Sequence, residues 1–321
     1  MCIYDQRSHR SPYERRRRYN MGEIDPSAFE IVGAEYQTWE PEIKKESVSK
    51  KLRKLPWISI IVFSAILFGC IFAPLIANHN PSTYYLDSLN EPPNSDFYFG
   101  TDSLGRDLFS IIWYGGRTSL TVGFLGAAIV TLIGITYGCI NGMANTRIDT
   151  LLQRVVEIFH IIPQILLTIL IITILGQQNP ISISFVIAVT SWFALARIVR
   201  SEVRQIRTNE YVIAAKCYGA RFERLVVKHL IPNIIPAIMF VVVSGISTCI
   251  TTESTLSFLG LGLPLDVLSW GSILSLSNRA LLLNTWWVIV IPGIFLIVTL
   301  SCITTIANCF RKDMNKKPNR L

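Results

Sequence analysis

Residues 200–233 read RSEVRQIRTNEYVIAAKCYGARFERLVVKHLIPN. Arg200, Arg204, Arg207, Lys216, Arg221, Arg224 and Lys228 stand there against Glu202, Glu210 and Glu223. An apolar run of about Ile181–Val199 precedes this segment, and another of about Ile234–Thr255 follows it. Apolar runs of ~20 residues cross a bilayer, and a basic excess between two of them places the segment in the cytoplasm. It is too long for a plain connector, since helix–helix links usually have ~2–8 residues. Asn209 or Glu210 can open a helix through Tyr211, Val212, Ala214, Ala215 and Tyr218. Gly219 can end it, because glycine accepts the left-handed cap. A second short helix is expected from Arg221 to Leu230, with Phe222, Leu225, Val226 and Leu230 at three- and four-residue steps. Arg221, Arg224 and Lys228 share another face. Pro232 is expected to stop it where the next span begins. On pattern alone, such a bent pair either rests on lipid as an interfacial amphipathic helix or docks a cytoplasmic partner.

The remaining composition agrees with a membrane protein. Of 321 residues, half are apolar and 16% are charged, against roughly 25% charged in a soluble domain. The charges crowd the two tails and the central segment. The net charge of +8 sits beside the apolar spans, as in Lys44, Lys45, Lys50, Lys51, Arg53 and Lys54. That suits membrane lipid and the positive-inside rule better than nucleic acid, and Arg15 to Arg18 read as a solvated tail. Cys70, Cys139, Cys249 and Cys302 fall in or beside apolar spans, where a thiol acts as a small hydrophobe, and no paired C-x-x-C suggests zinc. No signal h-region precedes Cys2.

Six spans are expected: about Trp57–Ala77, Thr118–Ile140, Val155–Leu175, Ile181–Val199, Ile234–Thr255 and Thr285–Ala307. The expected fold is therefore all-α and integral to the membrane. It has a cytoplasmic tail at 1–56, a transmembrane domain at 57–307 and a basic tail at 308–321, with both termini inside. Gly134 and Gly138 form a GxxxG pair that permits close helix approach. His160 stands alone and reads as a packing residue. Glu157 and Glu253 lie near span ends, where they can reach water, whereas a proton-coupled carrier usually places acids deeper. No G-x-x-x-x-G-K-[ST] is present, so the chain has no phosphate cradle of its own. HExxH and G-x-S-x-G are absent too, and no catalytic residue, metal ligand or directly bound cofactor is assigned.

Three segments carry a resemblance. Glu210 through Gly219, followed by His229-Leu230-Ile231-Pro232-Asn233, resembles the E-A-A-x-x-x-G-x9-I-x-L-P loop of binding-protein-dependent ABC transporter permeases. Ala214, Ala215, Gly219 and Pro232 match it, while the motif's Glu position is Ile213 and its later Ile and Leu are His229 and Ile231. Phe99-Gly100-Thr101-Asp102-Ser103-Leu104-Gly105-Arg106-Asp107 resembles the F-G-T-D-x-L-G-R-D run of peptide and nickel permeases. Thr101 or Asp102 can cap a short outer helix there, or the run makes a cap and salt bridge without touching cargo. Glu253 through Gly262, with Ser257, Gly260 and Gly262, then Ser269-Trp270-Gly271, is similar to the family's E-x-x-L-S-F-L-G-L-G…S-W-G segment. The family's closing G-D-x-L-R-D-x-L-D-P is echoed here only by Arg311, Asp313 and Asn315.

The resemblance is greatest to the C-type subunit of oligopeptide permeases. It implies a pore subunit without ATPase activity, paired with a second similar permease chain. Two cytoplasmic ATPases that hold ATP-Mg and an extracytoplasmic peptide-binding protein complete the unit. It implies that Glu210, Tyr211, Ala214, Ala215, Gly219, Arg221 and Pro232 form the ATPase-coupling segment. Dipeptides or nickel remain alternative cargoes. An ion-coupled secondary transporter and a membrane scaffold are the competing classes.

Overall fold

Among the described residues, 55–176 and 178–314 of the computed structural model, regular structure is helical apart from one isolated antiparallel bridge, Thr101 to Asp107. The basic residues through Lys54 and those from Lys316 onward lie outside the described residues, as does Asn315.

Helix α1, Trp57–Ile71, leads through Phe72 into a short α2, Ala73–Ile76, with Pro74 in its first turn. A long non-helical stretch then folds back on itself before α3, Leu108–Met143. The bent pair α4, Thr146–Ile161, and α5, Gln164–Leu175, follows. A second bent pair is α6, Pro180–Ser191, and α7, Phe193–Ile206. The short α8, Glu210–Cys217, stands before α9, Phe222–Phe258. Two short helices, α10, Trp270–Leu274, and α11, Ser277–Leu282, precede α12, Trp287–Met314.

Three of these helices, α3, α9 and α12, are long and apolar enough to cross a membrane, and each bent pair passes the same test when taken as one span. The expected six are reached if α1, with 15 residues, also crosses. The expected third and fourth spans are not straight. The third breaks by 87° at Ile162–Pro163, and the fourth by 50° at Trp192. Pro163 explains the first break, because the residue before a proline is driven out of the α region, and Ile162 is extended at ψ 127°.

Pro232 does not stop its helix, contrary to the sequence expectation. The turn before it, Val226–Leu230, is π-helical, with the Ile231 N–H bonding the Val226 carbonyl. In a regular α-helix the proline ring would clash with the carbonyl four residues back. The wider turn takes up that conflict, and just beyond it the Asn233 side chain donates to the His229 carbonyl at 2.7 Å. The helix therefore runs on without a break through Pro232.

Helices α3 and α7 interlock. Gly134, Gly138 and Gly142 recur every fourth residue, on one face of α3. A Cβ there would stand 2.9 Å from Leu195 Cδ2, 2.6 Å from Val199 Cβ and 2.6 Å from Val203 Cβ, respectively. The GxxxG expectation thus has its partner, and it extends by one glycine. Farther along α3, Gly123 and Gly126 admit Ile250 and Cys249 of α9 in the same way. Cys70, Cys139, Cys249 and Cys302 are buried and in no disulfide.

Candidate functional site

Two regions collect the sequence motifs, one at each end of α3. At the Met143 end, α8 sits on the surface. Asn209 is its extended N-cap residue, and Gly219 follows its C-cap at φ +76°, as the spacing predicts. The Gly219 and Ala220 N–H groups bond the Lys216 and Ala215 carbonyls at 2.9 and 3.0 Å. Glu210, Tyr211, Ala214 and Gly219 are exposed, and Tyr218 is 92% exposed. Val212 is the buried anchor, packed with Leu225, Leu230 and Val203, and Ala215 leans on the same cluster. Arg221, Arg224 and Lys228 are all exposed. This is a helix held by one side and open on the other. Nothing lies within 4 Å of where a Gly219 Cβ would stand, so the requirement for glycine is conformational and not one of space.

At the Leu108 end the Gly100–Asp107 run is a buried structural knot. Asp102 Oδ1 accepts from the Leu104 and Arg106 N–H groups, both at 2.9 Å, and Oδ2 from Arg106 Nε at 2.8 Å. Arg106 Nη1 donates to the Leu265 carbonyl at 3.1 Å. Thr101 Oγ1 donates to the Ser88 carbonyl at 2.6 Å and accepts the Glu91 N–H at 2.8 Å. Neither Thr101 nor Asp102 caps a helix. Asp107 does, accepting the Ser110 N–H at 2.9 Å at the start of α3. Thr101, Asp102, Arg106 and Asp107 are all buried. Gly100 and Gly105 take φ +77° and +74°, and a Cβ on Gly100 would stand 2.5 Å from the Glu91 carbonyl. The run thus holds a helix cap, at Asp107, and a salt bridge, Asp102 to Arg106.

Glu253 does not reach water, against the sequence expectation. It is fully buried, because α9 continues to Phe258 and α3 and α10 close over it. Its carboxylate accepts from Ser257 Oγ at 2.9 Å and from Ser119 and Ser254 Oγ at 3.2 Å. Ser119 Oγ also lies 3.2 Å from the Trp270 N–H, and Ser257 Oγ accepts the Leu263 N–H at 3.0 Å. Helices α3 and α9 thus bond the acid directly, and α10 and the turn at Leu263 are tied on through those serines. Gly260, at φ +75°, and Gly262, tight against Ser257, shape the turn that follows. The sequence pattern did not single out Ser119 or Trp287, whose partners are far along the chain. His160 is exposed, so the packing role expected of it is not seen. Glu157 is half exposed and pairs with Arg154 at 2.8 Å.

Between α3 and α9 runs an apolar cavity of about 620 Å³, lined by Phe124, Ala127, Leu132, Phe222, Val226 and Val242. A smaller one of about 190 Å³ meets both helix breaks, with Gln164, Ser191, Ser244 and Thr248 in its wall. Among the described residues, no group of three or more His, Cys, Asp or Glu side chains is placed to hold a metal ion.

Residues 134–316, more than half of the chain, match the family model described as the binding-protein-dependent transport system inner membrane component. The chain belongs to that family. Residues 51–93 match a second model, the N-terminal transmembrane domain of oligopeptide transport permease C. Among this permease's relatives, the oligopeptide transport system permease protein OppC of Bacillus subtilis is 33% identical over 305 residues, 92% of this chain and 99% of that one. The dipeptide transport system permease protein DppC of the same organism is 32% identical over 303 residues, 92% and 94% of the two chains. A chain of the MetNI methionine ABC transporter, solved in inward-facing conformations, superposes with a TM-score of 0.52. It is 19% identical and covers 63% of this permease and 95% of itself, a likeness of fold.

Proposed function

We propose that this permease is one of two similar membrane-spanning subunits of an ATP-driven importer of oligopeptides. Two cytoplasmic ATPases holding ATP-Mg drive it, an extracytoplasmic binding protein delivers the cargo, and the permease itself catalyses nothing. One observation carries the reading: α8 is exposed along one side and bends at Gly219 into α9, whose far end holds Glu253 in the buried cluster. A push on α8 has a continuous helix of 37 residues along which to travel. In this reading α8 is the coupling helix, with Glu210, Tyr211, Ala214, Ala215, Gly219 and Arg221 at the ATPase contact. Pro232 rides in the lever and does not end it. ATP binding draws the ATPases together, tilts α9 and opens the path toward the binding protein; hydrolysis returns it. The chain crosses the plasma membrane six times with both termini in the cytoplasm.

Oligopeptides are the preferred cargo because both the N-terminal model match and a relative covered almost end to end carry that name. The dipeptide relative, of similar identity, supports the second reading.

The test is reconstitution of the permease with its partner subunits in proteoliposomes, offered labelled oligopeptide, dipeptide or nickel. ATP-dependent oligopeptide uptake is expected. Uptake that ignores ATP and follows an ion gradient would overturn the proposal.

A further inference from the structure

A carboxylate outside all three sequence motifs ties α4 to α7 near the base of α8. Asp149, in the first turn of α4, is 4% exposed. Arg200 of α7 grips it with two parallel bonds, Nε to Oδ1 at 2.5 Å and Nη2 to Oδ2 at 2.6 Å. Arg204, one turn on, adds Nη1 to Oδ2 at 2.7 Å. Arg207 continues the same stripe and donates to the Gly142 and Ala144 carbonyls at 2.9 and 3.2 Å, at the end of α3 where helix carbonyls lack partners.

The mechanical consequence follows from what else holds each helix. α3 and α7 interlock through Gly134, Gly138 and Gly142 and form one body. From α7 the chain reaches α8 in three residues, Arg207 to Asn209, and the Arg207 and Asn209 N–H groups bond back to Val203 and Ile206. α8 is therefore mounted on α7. α4, in contrast, buries only Asp149 and Val156. Its other fastenings include the Tyr137 hydroxyl on the Leu152 carbonyl at 2.8 Å and the stacking of Phe159 on Phe193. Leu151, Ile158 and Ile161 face outward. At its far end α4 meets the 87° break.

We propose that Asp149 is a positioning residue that makes the α4–α5 arm follow α7 and α8, so that motion of the coupling helix reaches the break at Pro163. The inference rests on the importer reading above. The charge and the planar fork both matter, since a guanidinium meets a carboxylate in two parallel bonds and an ammonium cannot.

Two measurements test it on the reconstituted complex. The first is ATP hydrolysed per peptide imported. Asp149→Asn, at wild-type membrane level and with the ATPases bound, should raise that ratio about tenfold, within the usual range of coupling between sites. Arg200→Lys should fall between the two. A wild-type ratio in Asp149→Asn overturns the proposal. The second measurement needs neither transport nor ATP. Spin labels on non-natural residues at the exposed positions 151 and 205 report the α4–α7 separation. A single narrow distance should broaden in Asp149→Asn, and an unchanged distribution overturns the proposal even if the variant transports poorly. A wild-type complex that fails to import peptide would count against the importer reading, while the label distances would still judge the clasp.

Discussion

The indole N–H of Trp287 donates to the main-chain carbonyl of Thr101 at 3.1 Å, fastening the first turn of α12 to the knot before α3. Trp287 also walls in Gly100, where a Cβ would stand 2.9 Å from the indole nitrogen. The Gly100–Asp107 run is thereby built into the helix bundle.

Replacing Trp287 with Phe keeps most of the ring and deletes the donor. A buried carbonyl left without its partner costs about 1–3 kcal/mol. The purified complex should melt at a lower temperature than wild type, with cargo preference unchanged. An equal melting temperature would show that the bond contributes nothing.

Asp102 and Arg106 form a buried ion pair, and removing one member of such a pair costs about 3–5 kcal/mol. Arg106→Ala should therefore reduce the permease level in membranes sharply. Arg106→Lys should do less harm but should not match wild type, because an ammonium cannot reach both Asp102 and the Leu265 carbonyl in the same plane. Immunoblotting of membrane fractions, with the melting temperature of what remains, ranks the two.

The α3–α7 contact at Gly138 has no spare volume. Gly138→Ala would push a methyl against Val199 and the Ala196 carbonyl, an overpacking cost of about 1–3 kcal/mol. Val199→Ala in the same chain should return part of that stability. A double variant as weak as the sum of the two singles would mean that the residues do not share one space.

Gly219→Ala and Gly219→Asp test the bend after α8. The left-handed conformation costs a residue with a Cβ roughly 1–2 kcal/mol, and Asn less than most. Since the space around Gly219 is open, Gly219→Asn should be milder than Gly219→Ala. In proteoliposomes both Asp and Ala variants should still hydrolyse ATP while peptide uptake falls. Normal uptake at normal membrane level would remove Gly219 from the coupling path.

Much of the architecture was legible because it depends on near neighbours. The long apolar runs announce helices in a bilayer, and the Asn209–Gly219 pattern announces a short capped helix. Both reflect preferences of residues within a turn or two. Pro232 misled for the same reason: its local effect is to break a helix, and only the π turn at Val226–Leu230 lets α9 continue. Thr101 and Asp102 looked like caps because they are cap-forming types, yet both were claimed by partners elsewhere in the loop and Asp107 took the role.

Taken alone, the sequence determined the class of the protein, the approximate spans and the bent exposed helix that resembles a coupling segment. The tertiary structure decided where the buried acids went. Glu253 read as an acid at a span end, and Asp149 as one charge in a polar turn. Beside the neighbouring Ser254 and Ser257, Glu253 has Ser119 as a partner 134 positions away, and Asp149 has Arg200 at 51. A buried carboxylate must find donors or be excluded, but which donors it finds is set by how helices pack, and no local pattern in the chain records that.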